Sequence, residues 1–377
     1  MRYALINAKI FTGNEFSEHD AVVINNDKIE AILPENQLSD GIPRIDLEGN
    51  ILSSGLIDFQ LYGGDSSFFV KDLSADSLEN IVNTHLQYGT TSVVPTLYST
   101  SLDRILSAIE VVKAWIVAGQ SGIVGIHIEG PYLNPEKRGA HSEKVVRVPT
   151  KFELLQIIEK SAGLKTIMTI APETWPKDLL ETIQKSDIIL SLGHSNATHK
   201  QCQNYFEKIG LVTHLYNAMR PFESREPGVV GAVLDHHSVC ASIIVDGHHT
   251  DFTAVRIAKN LMQERLFLIS DASFVKPTFS RFEFEGFTAN FDGKSFLNDE
   301  GKLAGSAISL LDAVQNCIQK VGISIEESLR MASLYPAKHL GLDHKIGKIK
   351  VGHQADMILL GSDLELLKVW KNGKPIF

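Results

Sequence analysis

Gly125-Ile-His-Ile-Glu-Gly-Pro131 is the stretch on which the fold turns. Ile123, Val124, Ile126 and Ile128 make a short apolar run, with Gly122 and Gly125 around its start and Gly130-Pro131 at its end. Such a run, closed by breakers, reads as a buried strand rather than a helix. Its last residue is Glu129, where a buried strand favours Val or Leu. A carboxylate at that place is costly unless it meets a cation or a donor. Two more apolar runs end alike: Ile188-Ile-Leu-Ser-Leu-Gly193 delivers His194, and Leu211-Val-Thr213 delivers His214. One carboxylate and two imidazoles, each at the end of its own strand, suit one divalent metal with a position left for water.

Outward from that run the chain alternates. Strand patterns fall at 54–61, 91–96, 123–129, 165–170, 188–193, 211–214, 241–246 and 266–271. Helical patterns lie between most of them: Leu102, Ile105, Leu106, Ile109 and Val112 have the i, i+3, i+4, i+7 spacing, as do Phe252, Val255, Ala258 and Met262. Eight strands alternating with helices predict an α/β fold, a (β/α)8 barrel with active-site groups at the strands' carboxyl ends. The competing open doubly wound sheet lacks a Gly-x-Gly-x-x-Gly opening a helix. After the eighth strand an excursion near 280–303 reads as β-hairpins, and helices at 306–320 and 324–339 close the barrel domain, expected to span 51–345.

Both termini are β-rich. Residues 3–11 and 20–33 are rich in Val and Ile, and the second pair of strands is joined around Asn25-Asn26-Asp27. At the far end, Lys371-Asn-Gly-Lys374 reads as a type I′ hairpin turn. Neither terminus makes a domain alone, so 1–50 and 346–377 are expected to form one small, split β-sandwich domain.

Composition narrows the partners. The 377 residues carry a formal net charge of -9, which argues against nucleic acid, because phosphate backbones recruit basic surfaces. A small anionic substrate held by a few local cations remains compatible. Cys202, Cys240 and Cys317 lie far apart with no CxxC pair, as in a reduced cytoplasmic protein. The N-terminus opens directly into a strand pattern, and no apolar run approaches the ~18 residues of a membrane span, so neither a signal peptide nor a membrane segment is expected.

Asp271 ends the last strand run, Leu266-Phe-Leu-Ile-Ser-Asp271. Facing a metal, it can take a proton from water and return it to a leaving group. Without a metal beside it, it is a helix N-cap or a loop-fixing carboxylate. His127 shares an interior face with Glu129, because i and i+2 point alike on a strand, and reads as a packed interior residue.

Five segments together carry a family resemblance: His127-Ile-Glu-Gly-Pro-Tyr-Leu-Asn134, Gly193-His-Ser-Asn-Ala197, His214-Leu-Tyr-Asn-Ala-Met219 with Arg225-Glu-Pro-Gly228, Asp246-Gly-His-His249, and Leu303-Ala-Gly-Ser306. They resemble the N-acetylglucosamine-6-phosphate deacetylase family of the amidohydrolase superfamily, and the resemblance runs the length of the chain, including Gly55-Leu-Ile-Asp58. It implies hydrolysis of the N-acetyl group of the sugar phosphate, with one divalent metal per subunit, zinc before iron or another ion, on Glu129, His194 and His214. It implies Asp271 as general base and then acid, and His141 over the substrate as a second catalytic group. Ala140, Asn217, Ala218 and His249 would contact the substrate, the last three near its phosphate, and Leu303, Ala304 and Gly305 would line the acetyl pocket. Arg225 would reach the phosphate from the neighbouring subunit of a homodimer. Read by itself, Arg225 suits a phosphate through its bidentate fork, or else pairs with Glu223 or Glu226 at the surface. The N-acetylgalactosamine epimer and a non-catalytic sugar-phosphate-binding relative are the alternatives.

One departure stands out. Many amidohydrolases carry His-x-His on the first barrel strand to bind a second metal, where this chain has Gln60-Leu-Tyr62. Gln is a poor ligand and Tyr a demanding one at neutral pH, which predicts one metal rather than two. Members of this family with Gln-x-Asn there are the mononuclear kind, and Tyr62 departs from them as well.

Overall fold

Eight parallel strands alternate with helices through the middle of the chain: β1 (Leu56–Leu61), β2 (Thr90–Leu97), β3 (Ile126–Glu129), β4 (Thr166–Ile170), β5 (Ile189–Leu192), β6 (Leu211–Val212), β7 (Cys240–Ile244) and β8 (Leu266–Ile269). They lie side by side in sequence order, the pattern of a singly wound barrel rather than a doubly wound sheet. The seam between β8 and β1 closes through residues just past the last strand. Asp271 N donates to Gln60 O at 2.9 Å, and Tyr62 N donates to Ala272 O at 2.8 Å. The structure, a computed structural model, describes all residues from 1 to 377.

The barrel helices bury the faces their sequences mark as apolar. Leu102–Val117 buries Ile105, Ala108, Ile109, Val112 and Trp115, and begins where the Ser101 side chain accepts from Arg104 N. Lys151–Ser161 opens with a capping box of Thr150 and Glu153, an arrangement worth about 1 kcal/mol. Along β3, Ile126 and Ile128 alternate with His127 and Glu129, and all four are buried. His127 Nε2 lies 2.7 Å from Thr169 Oγ1, which reaches Thr213 Oγ1 at 2.7 Å and, through it, Ser191 Oγ at 2.6 Å. A hydrogen-bonded polar layer therefore lies beneath the strand ends. Burial pushes the His127 imidazole down to about 4, so it packs there as a neutral ring.

The terminal segments form two sheets. One orders Lys28–Pro34, Asp20–Asn25, Arg2–Ile6 and Arg44–Asp46; the other orders Lys374–Pro375, Leu366–Lys371, Met357–Leu360, Ile51–Ser54, Lys9–Phe11 and Phe16–Ser17. Tyr3, Leu5, Val22 and Ile24 from the first share one buried core with Ile10, Leu52, Met357, Leu359 and Trp370 from the second, as in a sandwich. Asn372 and Gly373 both take positive φ (51° and 68°), the type I′ turn that an Asn-Gly pair adopts between strands.

Several boundaries differ from the sequence reading. The strand expected over 3–11 breaks at Asn7, whose φ of 55° lets its side chain donate to Asp46 Oδ1 at 2.7 Å. The helix expected over 324–339 divides at Ser333 into Ile325–Ala332 and Leu334–His339. The excursion contains three antiparallel strands, Arg281–Phe284, Phe287–Phe291 and Phe296–Leu297, the first two joined at Glu285-Gly286. By compactness one unit comprises Met1–Asp58, His85–Ser92 and Leu310–Phe377, and the other Phe59–Thr84 and Val93–Ser309. The helices that follow residue 310 thus group with the termini.

Candidate metal centre and active site

Glu129, His194, His214 and Asp271 all stand at the carboxyl ends of barrel strands, and all are at least 95% buried, with exposures of 0%, 4%, 4% and 5%. The last three sit in left-handed backbone, at φ 49°, 35° and 54°. Such a conformation costs roughly 1–2 kcal/mol per non-glycine residue. Three strained residues at the ends of β5, β6 and β8 mark a functional constraint rather than chance.

The ligand atoms converge. His194 Nε2 and His214 Nε2 are 3.1 Å apart, and they lie 3.4 Å and 3.1 Å from Glu129 Oε1. Atoms that each sit about 2.1 Å from one tetrahedral cation are about 3.4 Å apart, so this donor set fits a divalent metal. His194 Nδ1 donates to the Lys137 carbonyl at 2.9 Å, which leaves its Nε2 lone pair turned inward. A looser trio of Glu129, His141 and His194 keeps its candidate ligand atoms within 4.8 Å of one another. The trio with His214 is tighter, and His141 has other partners. Its Nδ1 lies 2.6 Å from Ser99 Oγ, its Nε2 is 3.5 Å from Glu129 Oε2, and its ring stacks on Tyr98 with centroids 3.8 Å apart.

Electrostatics follow from this crowding. Burial pushes the Glu129 carboxyl up, but His141, His194 and His214 outweigh it and hold the group well below the usual carboxylate range. Burial lowers His141 to about 4 despite the pull of Glu129, so its ring is neutral. Burial and the charges of Asp271 and Glu129 push the Tyr62 hydroxyl well above 10, which keeps it a donor.

Gln60 and Tyr62 occupy the β1 position at which a second metal would need ligands. Gln60 Nε2 lies 2.7 Å from Asp271 Oδ1 and 2.9 Å from Glu129 Oε1. The Tyr62 hydroxyl donates to Glu129 Oε2 and lies 3.2 Å from Asp271 Oδ1. Neutral donors therefore bridge the two carboxylates.

A cavity of about 290 Å³ opens over the centre. Ala140, His141, His194, His214, Asn217, Ala218, His249, Asp271, Leu303, Ala304 and Gly305 all line it. Glu129 lies beneath, and Arg225 is away from the cavity, exposed and without an ion-pair partner on Glu223 or Glu226. The Asn217 N–H is already given to the His214 carbonyl at 2.9 Å. Tyr98, Ser273, Phe287 and Lys302 also line the cavity and were not singled out from the sequence. Tyr98 had a readable signal, since it follows directly on the second strand; Phe287 arrives from the excursion, whose folding back no local pattern reveals.

The Amidohydrolase family model matches residues 51–376, and that of the NagA composite domain matches residues 2–52. The chain belongs to the amidohydrolase family. It is similar to the N-acetylglucosamine-6-phosphate deacetylase of Haemophilus influenzae, at 36% identity over 99% of each chain. It is also similar to the N-acetylgalactosamine-6-phosphate deacetylase of a Shewanella species, at 31% identity over 98% of this chain and 95% of the relative. Among solved structures, the N-acetylglucosamine-6-phosphate deacetylase from Pasteurella multocida superposes with a TM-score of 0.93 at 36% identity, covering 100% of this chain and 99% of the other. Membership in the amidohydrolase family implies a divalent metal, and the Glu/His/His cluster is where this chain can hold one.

Proposed function

We propose that this amidohydrolase removes the acetyl group of N-acetylglucosamine 6-phosphate, giving glucosamine 6-phosphate and acetate. The observation that carries the reading is the trio Glu129, His194 and His214 within 3.4 Å, with Asp271 tied to Glu129 through one amide. One metal ion, zinc in our reading, would polarise the acetyl carbonyl and acidify a water there.

Asp271 takes the proton of the attacking water and later gives it to the departing amine. Gln60 holds one oxygen of that carboxylate in place and so orients the group. His141 stands beside the developing oxyanion as a donor. Asn217, Ala218 and His249 meet the phosphate end, and Leu303, Ala304 and Gly305 enclose the acetyl methyl. Arg225 of a second copy supplies the bidentate cation that the cavity of one copy lacks, which makes the protein a homodimer. None of Cys202, Cys240 and Cys317 forms a disulfide, which fits a reducing cytoplasm, and no helix is long and apolar enough to cross a membrane.

The galacto epimer is the second reading, favoured by the N-acetylgalactosamine-6-phosphate deacetylases of the Shewanella species and of Escherichia coli O157:H7, whose 31% identity is below the 36% of the Haemophilus N-acetylglucosamine-6-phosphate deacetylase. Acetate release from the two epimers, compared as kcat/KM, tests both readings. The gluco epimer should win, and a clear preference for the galacto epimer would replace this assignment.

A further inference from the structure

Asp246 follows β7 by two residues, and its side chain is only 1% exposed. A carboxylate at that depth is costly unless its lone pairs are met. Here they are: Oδ1 accepts the N–H groups of His248 and His249 at 2.8 Å each, and Oδ2 lies 2.7 Å from His249 Nδ1. Gly247, at φ +75°, makes the tight turn possible, and a Cβ there would come within 2.9 Å of the Phe252 ring. Burial raises the Asp246 carboxyl, but His249 and the two N–H groups outweigh it and keep the group ionised.

An ionised carboxylate only accepts, so Nδ1 of His249 must carry a proton. The ring is thereby locked, and Nε2 is the one ring nitrogen left for the cavity that His249 lines; it donates to an anion there only as the imidazolium, the form that the Asp246 carboxylate and a phosphate both stabilise. The His249 side chain is itself 4% exposed, so a ring without Asp246 would have to find another partner or turn away. The neighbouring residue Thr250 receives Asn217 Nδ2 at 3.4 Å, which ties this turn to the loop carrying Ala218. Ala218 has φ 47° and also lines the cavity. Lys302 is the only Lys or Arg on the cavity wall, and its Nζ is already 2.6 Å from Glu300 Oε2. An anionic group entering this end therefore meets His249 before any free cation of the same chain.

We infer that Asp246 is a positioning residue for phosphate recognition: it holds the His249 ring so that Nε2 meets the phosphate of the sugar. The inference rests on the deacetylase reading for the identity of the substrate. It sets Asp246 apart from a residue that merely caps a turn, because its influence passes through His249 and reaches only ligands that carry phosphate.

The test uses Asp246→Asn, His249→Gln and the double variant of the full-length, metal-loaded protein. Binding of glucosamine 6-phosphate and of glucosamine is measured by calorimetry, and KM and kcat are measured with N-acetylglucosamine with and without its 6-phosphate. Losing a held, charge-assisted hydrogen bond should weaken glucosamine 6-phosphate binding by about tenfold or more and raise KM for the phosphorylated substrate to match. For both variants the loss should fall mainly on KM rather than kcat, and the unphosphorylated sugars should lose clearly less affinity than the phosphorylated ones. The double variant should be no weaker than His249→Gln alone, because Asp246 acts through that ring. Equal losses on both sugars, or additive losses in the double variant, overturn the inference. Should Asp246→Asn not fold, His249→Gln carries the test, and unchanged affinity for the sugar phosphate in it is equally fatal. A wild-type protein that releases no acetate yet binds glucosamine 6-phosphate in an Asp246-dependent way would retain this inference and remove the deacetylase reading.

Discussion

Gln60 donates a hydrogen bond of 2.7 Å from Nε2 to Oδ1 of Asp271, and the same nitrogen lies 2.9 Å from Oε1 of Glu129. One neutral amide thus aligns the proposed base with a proposed metal ligand across the barrel seam. In place of a second cation between these carboxylates, the chain uses donors that carry no charge. Gln60→Ala should lower kcat by about 10- to 100-fold with little change in KM, as loss of a partner that orients a metal site usually does. Steady-state kinetics check it; a variant with full kcat would show that Asp271 is oriented by something else.

Asp271→Asn keeps the shape of the site and removes the proton acceptor. We expect kcat to fall by about 10²–10⁴-fold while sugar-phosphate affinity, measured by calorimetry, stays within a few-fold. Turnover near the wild-type value would show that the proton goes elsewhere.

Arg225 is exposed and off the cavity of its own chain, so its proposed role needs a second copy. Arg225→Ala should raise KM for the phosphorylated substrate by roughly 10-fold or more, the size of one bidentate charge-assisted contact. Mixing Arg225→Ala with Asp271→Asn chains, each weak alone, should regain activity, since a mixed dimer holds one site with both residues intact. No recovery after mixing, or a monomer by light scattering, removes the cross-subunit role.

His339 provides a pH test away from the metal. Burial and the charge of Lys338 push it down to about 4 in the folded chain, against about 6.5 when unfolded. As pH falls through that window the unfolded chain takes up the proton and the folded one does not, so stability drops and then levels off below about 4. This one group should cost about 2 kcal/mol between pH 7 and pH 5. Urea midpoints at the two pH values should therefore fall less in His339→Gln than in the wild type. Equal falls would mean that His339 is protonated in the native protein.

The barrel was legible in eight apolar runs alternating with helical spacing, and the runs of β3, β5, β6 and β8 end abruptly in ionisable residues, a pattern with few structural explanations. That pattern also picked out Glu129, His194, His214 and Asp271. It could not reveal that His194, His214 and Asp271 adopt left-handed backbone, since only Gly and Asn advertise that region by residue type. The break at Ser333 was hidden by apolar spacing that continues through it. Tyr98 and Phe287 reach the cavity through tertiary packing, with ring centroids 4.6 Å apart, and residues so distant in sequence carry no shared local signal.

The most direct measurement of the central claim is acetate release from N-acetylglucosamine 6-phosphate by protein stripped with a chelator and titrated with zinc. Activity absent after stripping, rising with added zinc and saturating at one ion per chain, is the result expected if Glu129, His194 and His214 share a single cation beside Asp271. Full activity in the stripped protein, or saturation only at two ions per chain, would contradict it.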